Sequence, residues 1–461
     1  MKRILAMLLC AVMVFSLWAC GVDTTAEKQG KDTTTPTEEP VRTGSDRLEA
    51  EIIFGHNLTD AQVESINHRL EPFYARFPGV RVVFKYMDEP VTAENAPTVL
   101  LCSPEQVPQY RDAGLLMDLN TWINSKGWVI YSGSDELNST GLTEEQKEDL
   151  EALFYEEGKQ FGDDATWLMP FAARMLVMYY NATFIDENEL ERGPSLSWDV
   201  LVENCKKIKE IDPDSVPLAI NDVDDTFISL CAQHGLSFTE DGWQELFGEE
   251  GIAIAKKLND MYQKGYMTTA GLRGAPASLE EQAGMSRNYI TIDSSDAAAT
   301  QVPELDNEAY TYEADVMTLS RMAGDDPMVY ACSSGLAICK SDDDDVLTAA
   351  WLLVKFMSVE ADFQGGMAKD TGSLPTVRSA WMNEEFGTYL NESNGGSGLP
   401  GLVALMAQDQ ETFRFTASAF DGSARIREAM TALLEMCMTF TGDVDAQIRE
   451  AFANTLAECT K

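Results

Sequence analysis

Three histidines, His56, His68 and His234, and 76 acidic residues are the first places to look for chemistry in this 461-residue chain. The histidines lie far apart. No HExxH pair occurs and no cysteine cluster joins them, so a zinc centre has no ligand set and no metal is expected. Gly-x-Ser-x-Gly, a phosphate-cradling Walker loop and Gly-x-Gly-x-x-Gly are absent too, which leaves no expected cofactor. Two carboxylates suffice for glycoside hydrolysis, but no spacing singles out a pair among so many acids. What remains is hydrogen-bonding chemistry at the ends of apolar runs. His56 and Asn57 follow Glu51–Phe54, Ser103 and Gln106 follow Thr98–Cys102, and Asp293, Ser294 and Ser295 follow Tyr289–Ile292. In open α/β sheets a ligand sits beyond the carboxyl ends of the strands, so these side chains are candidates to hold a polar solute. Each has a plainer reading: His56 packs or caps, and the serines serve turns and helix starts.

The elements that would position them alternate between strand and helix. The apolar runs at 51–54, 80–86, 98–102, 174–180, 289–292 and 335–338 read as strands. Thr59 with Gln62, and Thr143 with Gln146, form capping boxes for helices running through about Arg76 and past Leu150, Leu153 and Phe154. Ser197 caps a helix whose Trp198, Leu201, Cys205 and Ile208 recur at helical spacing. Helices are also expected at 104–113, 252–262, 346–357, 424–438 and 444–458. Such alternation favours an α/β fold with a mainly parallel sheet. The run Asp342–Asp345 reads as helix-start chemistry, since the spaced acids and Gly of a calcium loop are missing. Asn221–Phe227 reads as a solvated acidic loop, able to meet a cation or hydroxyls if it reaches a cleft.

The N-terminus carries its own signal. Lys2 and Arg3 precede an apolar run from Ile4 to Ala19, shorter than the roughly 20 residues a membrane span needs. Leu17-Trp18-Ala19-Cys20-Gly21 resembles a bacterial lipobox, which implies loss of residues 1–19 and a diacylglyceryl anchor on Cys20 that holds the protein on a membrane. Residues 20–48 are polar and read as a disordered tether. Loss of Lys2 and Arg3 with the signal leaves 32 of the 34 basic residues against 76 acidic ones. Nucleic acid is therefore excluded as a partner. The seven cysteines of the body are odd in number and scattered, which argues against a disulfide framework, although a Cys332–Cys339 bridge stays open. About 410 residues beyond the tether suggest two lobes.

In order along the chain, several segments resemble one family. Leu115–Leu119 is similar to its "glL-dLt" step. Trp167-Leu-Met-Pro170 with Leu176–Asn181 and Phe184-Ile185 is similar to "aLP…lyYNkdlF", and Leu196–Leu201 to "P-tWdEl". Gly335–Ile338 with Ala349-Ala350-Trp351, then Thr371-Gly372-Ser373-Leu374-Pro375, complete the series. The family is that of extracellular solute-binding lipoproteins of ABC importers, sugar-type. The resemblance implies a two-lobed periplasmic-binding-protein-like (type II) α/β fold with a hinge and an interlobe cleft. Lobe one would be 49–175 with 332–370, and lobe two 177–330 with 374–461. It implies a monomer that binds a small solute without catalysis and delivers it to the permease subunits. A carbohydrate or oligosaccharide leads as that solute. A polyamine or other cation is an alternative, as is an anchored glycan hydrolase or sensor-scaffold protein. The resemblance adds Trp167, Ser333, Ser334 and Ser373 to the candidates. Trp167 would stack on a sugar face or a cation, or else be a core tryptophan. Sugar-binding relatives often carry Gly-x-Trp where this chain has Asp293-Ser294-Ser295, which leaves the ligand open.

Overall fold

The computed structural model describes residues 42–44, 48–269, 272, 289–299, 314–393, 399–409, 413–417 and 419–461. The expected signal segment and Cys20 lie outside them. The strands are β1 (Arg42–Gly44), β2 (Ala50–His56), β3 (Val80–Tyr86), β4 (Val99–Cys102), β5 (Trp128–Ile130), β6 (Leu137–Ser139), β7 (Met169–Asn181), β8 (Leu218–Ile220), β9 (Met267–Thr269), β10 (Ile290–Ser294), β11 (Ala314–Met317), β12 (Val329–Ile338) and β13 (Arg414–Phe415). β1, within the stretch read as tether, pairs in parallel with β5, and β6 completes a small sheet. The main sheet runs β3-β2-β4-β12-β7-β10-β8-β9, with β11 on β7 and β13 on β12.

Two large apolar cores grow on this sheet, beside a smaller cluster. One gathers Ile52, Phe54, Phe73, Val99, Trp351, Leu353 and Phe363 around β2–β4. The other gathers Trp198, Leu201, Ile220, Phe227, Leu258, Ile292, Leu434 and Phe452 around β8–β10. Helix Asp344–Val359 is apolar nearly all round and buried along its length, as a helix inside a core must be. β7 and β12 belong to both cores. Met169 and Phe171 of β7 lie in the first, and Met175–Tyr180 in the second. On β12 the direction is reversed: Val329–Ala331 lie in the second core, Leu336 and Ile338 in the first. These two antiparallel strands therefore join the two lobes. Their pairing slips at Ser334/Gly335, opposite Pro170–Ala172. A bulge is where a strand tolerates the proline that cannot donate.

Several helices start where the capping residues place them: Thr59, Thr143, Ser197 and Asp343 each accept a backbone N–H at the first turn. The helix after Thr143 stops at Leu150 and resumes at Ala152, because Leu150 turns extended and bridges to Val377. The Asn221–Phe227 stretch is not a solvated loop. Asp222 opens helix Val223–Gln233, and Asp225, Thr226 and Phe227 are buried in it. Cys332 and Cys339 are free thiols, as are the other five cysteines of the body.

Candidate functional site

At the crossing of β7 and β12 lies a cleft of about 620 Å³, in the range that holds a small ligand. The first lobe supplies Asn57 beyond β2 and Ser103, Glu105 and Gln106 beyond β4. The crossing strands supply Ala172–Arg174 of β7 and Tyr330 with Cys332–Ser334 of β12. The second lobe supplies Asp296 beyond β10 and Arg427 of helix Ser423–Thr439. Ser373 comes from the turn after helix Ala361–Thr371. Gly372 ends that helix at φ 74°, a left-handed conformation that strains any other residue, and so turns Ser373 into the cleft.

The polar walls are wired. Glu157 is buried and accepts both the Ser333 backbone N–H at 2.9 Å and its hydroxyl at 2.6 Å. Burial holds its carboxyl well above the usual range, against the pull of those two bonds. The Ser333 oxygen keeps lone pairs for a solute O–H. Arg427 donates to Asp224 at 2.9 Å and to Asp225, stands 3.9 Å from Glu105, and lies over the Tyr330 ring at 5.0 Å. Burial pushes Asp225 up to about 7 despite Arg427, and Asp222 up to about 6. Arg174 donates its Nε–H to Cys332 Sγ at 3.3 Å.

Six of the sequence candidates come together here: Asn57, Ser103, Gln106, Ser333, Ser334 and Ser373. Gln106 also accepts the Ser103 N–H at 3.0 Å, so the pair both starts its short helix and faces the cleft. The other five stand elsewhere. His56 is buried against Phe84 and Tyr86, and its Nδ1 accepts the Leu58 N–H at 3.1 Å. Trp167 is half-buried, packs on a small core cluster and donates to Asp163 at 3.1 Å. Asp293 and Ser294 lie within β10 and are buried; Asp293 accepts from Asn221 at 2.6 Å. Ser295 is buried and accepts the Met175 N–H at 3.1 Å. The strand-end rule selects the right edge, but the strand there is two residues longer than its apolar run. Sequence reasoning overlooked Arg174, Glu105, Asp296, Tyr330 and Arg427. Arg174 had a signal, a lone cation inside an apolar strand. Arg427 had none, because all its partners are distant in sequence.

A family model described as bacterial extracellular solute-binding protein matches residues 77–388. The chain belongs to that family. This solute-binding protein is accordingly a receptor for a small molecule rather than an enzyme, in an extracellular family whose partner is an ABC permease. Its fold is that of solved solute-binding proteins at low identity. The cyclic α-maltosyl-1,6-maltose binding protein of Arthrobacter globiformis is 16% identical, with TM-score 0.68 over 89% of this chain and 99% of that one. UgpB of Mycobacterium tuberculosis, solved with glycerophosphocholine, is 18% identical, with TM-score 0.69 over 89% and 98%. Maltose-bound MalE3 of T. maritima is 15% identical, with TM-score 0.66 over 89% and 99%. No curated protein matches the chain in sequence. Among the described residues no helix is long and apolar enough to cross a membrane.

Proposed function

We propose that this solute-binding protein is a monomeric, lipid-anchored receptor that captures a hydroxyl-rich solute, a carbohydrate or oligosaccharide, and hands it to an ABC import permease. The observation that carries this reading is the cleft, where Asn57, Ser103 and Gln106 of the first lobe, Ser333 and Ser334 of the joining strands and Ser373 of the turn after helix Ala361–Thr371 face Asp296 and Arg427 of the second lobe. Hydroxyls and amides both donate and accept, which suits a polyol. Closure on such a ligand draws on contacts to both lobes at once. The division of the apolar core supports two lobes, 49–175 with 332–370 and 177–330 with 374–461, with exchanges at the crossings, such as Ala173 and Met175 in the second core and Val377 and Ala380 in the first. The lipobox around Cys20 supports the anchor, and the polar stretch after it supports a tether that keeps the receptor near its permease.

The test is a thermal-shift screen of sugars, amines and peptides on the mature chain. A sugar that raises the melting temperature and is recovered intact supports the reading. A preference for polyamines replaces the solute class, and glycan cleavage replaces the receptor with a hydrolase. Mass spectrometry of the N-terminal peptide tests the anchor: the reading requires a diacylglyceryl group on Cys20, and a Cys20→Ser variant shed into the medium.

A further inference from the structure

We propose that the solute carries an anionic group, a carboxylate or a phosphate, beside its hydroxyls, and that Arg174 receives it. This rests on the receptor reading above and narrows its solute class.

Arg174 stands where β7 passes from one lobe to the other, on the cleft wall, with 43% of its side chain exposed. Its Nε–H is held by Cys332 Sγ, which fixes the plane of the guanidinium. The nearest carboxylate oxygen, on Asp225, is 3.9 Å from Nη2, beyond hydrogen-bond distance. Among the described residues the terminal N–H groups of Arg174 therefore hold no direct hydrogen bond. A planar fork with one nitrogen anchored and the outer donors unused is preorganised for two-point binding of an oxyanion.

Most of the other charges around the cleft are engaged with one another; Asp296, which also lines it, acts on Arg174 through space. Arg427, with 13% of its side chain exposed, is enclosed by Asp224, Asp225, Glu105 and the Tyr330 ring. Glu157 is taken by Ser333, and Asp293 by Asn221 and the Ser294 N–H. Asp224, Asp225, Glu105, Glu157 and Asp293 are thus tied into the wall, and Asp296 is the lining acid that an anion on Arg174 must tolerate. The large negative charge of the whole chain is screened beyond about 8 Å at physiological salt, so the local arrangement decides.

A neutral sugar would want an aromatic face to stack on. Among the described lining residues Tyr330 is the one aromatic, and its ring is buried beneath Arg427. Affinity must then come from polar contacts, and charge-assisted hydrogen bonds are roughly twice as strong as neutral ones.

The experiment is calorimetric titration of the mature chain with matched probes: glucose and glucuronate, galactose and galacturonate, and glucose 6-phosphate, each at low and high salt. Glucosamine serves as the cationic counterpart. We expect at least one acid to bind about tenfold or more tighter than its neutral parent, with the gap shrinking as salt rises. The uronate and phosphate arms tell which oxyanion fits. Arg174→Gln should erase the preference of acid over neutral parent, while Arg174→Lys restores part of it. Neutral parents binding as tightly as their acids, or glucosamine binding best, would overturn the anion assignment and leave the receptor standing. If no probe of any charge binds, both readings fall. The wild-type comparison decides even if Arg174→Gln does not fold.

Discussion

At the scale of single residues, the proposed binding role and the structural role fall on different side chains. Asn57 is exposed at the cleft wall, whereas Trp167 faces Asp163 and a core cluster. Asn57→Ala should weaken a bound solute about five- to tenfold, the worth of one net hydrogen bond, while Trp167→Ala should leave affinity within about twofold. Titration calorimetry of both variants checks this, and the reverse order would move the site. The buried acids behind the cleft make a second prediction. Burial lifts Asp222 to about 6 and Asp225 to about 7, from 3.8. The folded chain therefore holds protons that the unfolded chain releases, and stability falls as pH rises from about 4 to 7. Asp222→Asn should flatten the lower part of that decline in melting temperature. A variant whose slope parallels wild type would show that Asp222 titrates normally. Capping pairs and strand-end serines were readable in the sequence because their partners are three residues away or on the same strand edge. Arg427 was not, since Glu105, Asp224 and Tyr330 reach it only through the tertiary fold.

At the scale of elements, Gln364 ties the lobe-joining strand to its surroundings. Fully buried, it donates to the Phe171 carbonyl at 2.9 Å and the Met357 carbonyl at 2.6 Å, and accepts the Thr376 N–H at 2.9 Å. Gln364→Leu leaves three backbone groups unpaired and should cost about 3 kcal/mol or more in urea unfolding; a loss below about 1 kcal/mol would mean that water reaches them. The same region explains where periodicity misled. β7 begins five residues before its apolar run at Arg174, because the bulge opposite Gly335 accommodates Pro170. β12 begins six residues before Gly335, since Ser333 and Ser334 look like a turn until Glu157 and β7 pair with them. The helix after Thr143 breaks because a bridge from Leu150 to Val377 outweighs a continuous apolar stripe. Local pattern found these elements, and non-local pairing set their ends.

At the scale of the whole molecule, two cores share β7 and β12, and ion pairs close the cleft from the side: Arg427 with Glu105, and Arg111 with Asp421 at 3.4 Å. The second pair is partly exposed and worth no more than about 1 kcal/mol; on the proposed reading a solute that touches both lobes adds to these contacts. The two-lobed α/β architecture was readable from the order of its segments, while the proposed solute class was not, because it rests on the tertiary setting of Arg174, anchored by Cys332 and 3.9 Å from Asp225. A solute present at a hundred times its dissociation constant should add about 2.7 kcal/mol of stability. The central claim, capture without chemistry in the cleft between the lobes, is tested most directly by melting the mature chain against a panel of sugars and sugar acids while following each solute by NMR. The account predicts that at least one hydroxylated solute raises the melting temperature and is recovered unchanged. A solute cleaved during the incubation, or no shift with any member of the panel, would contradict it.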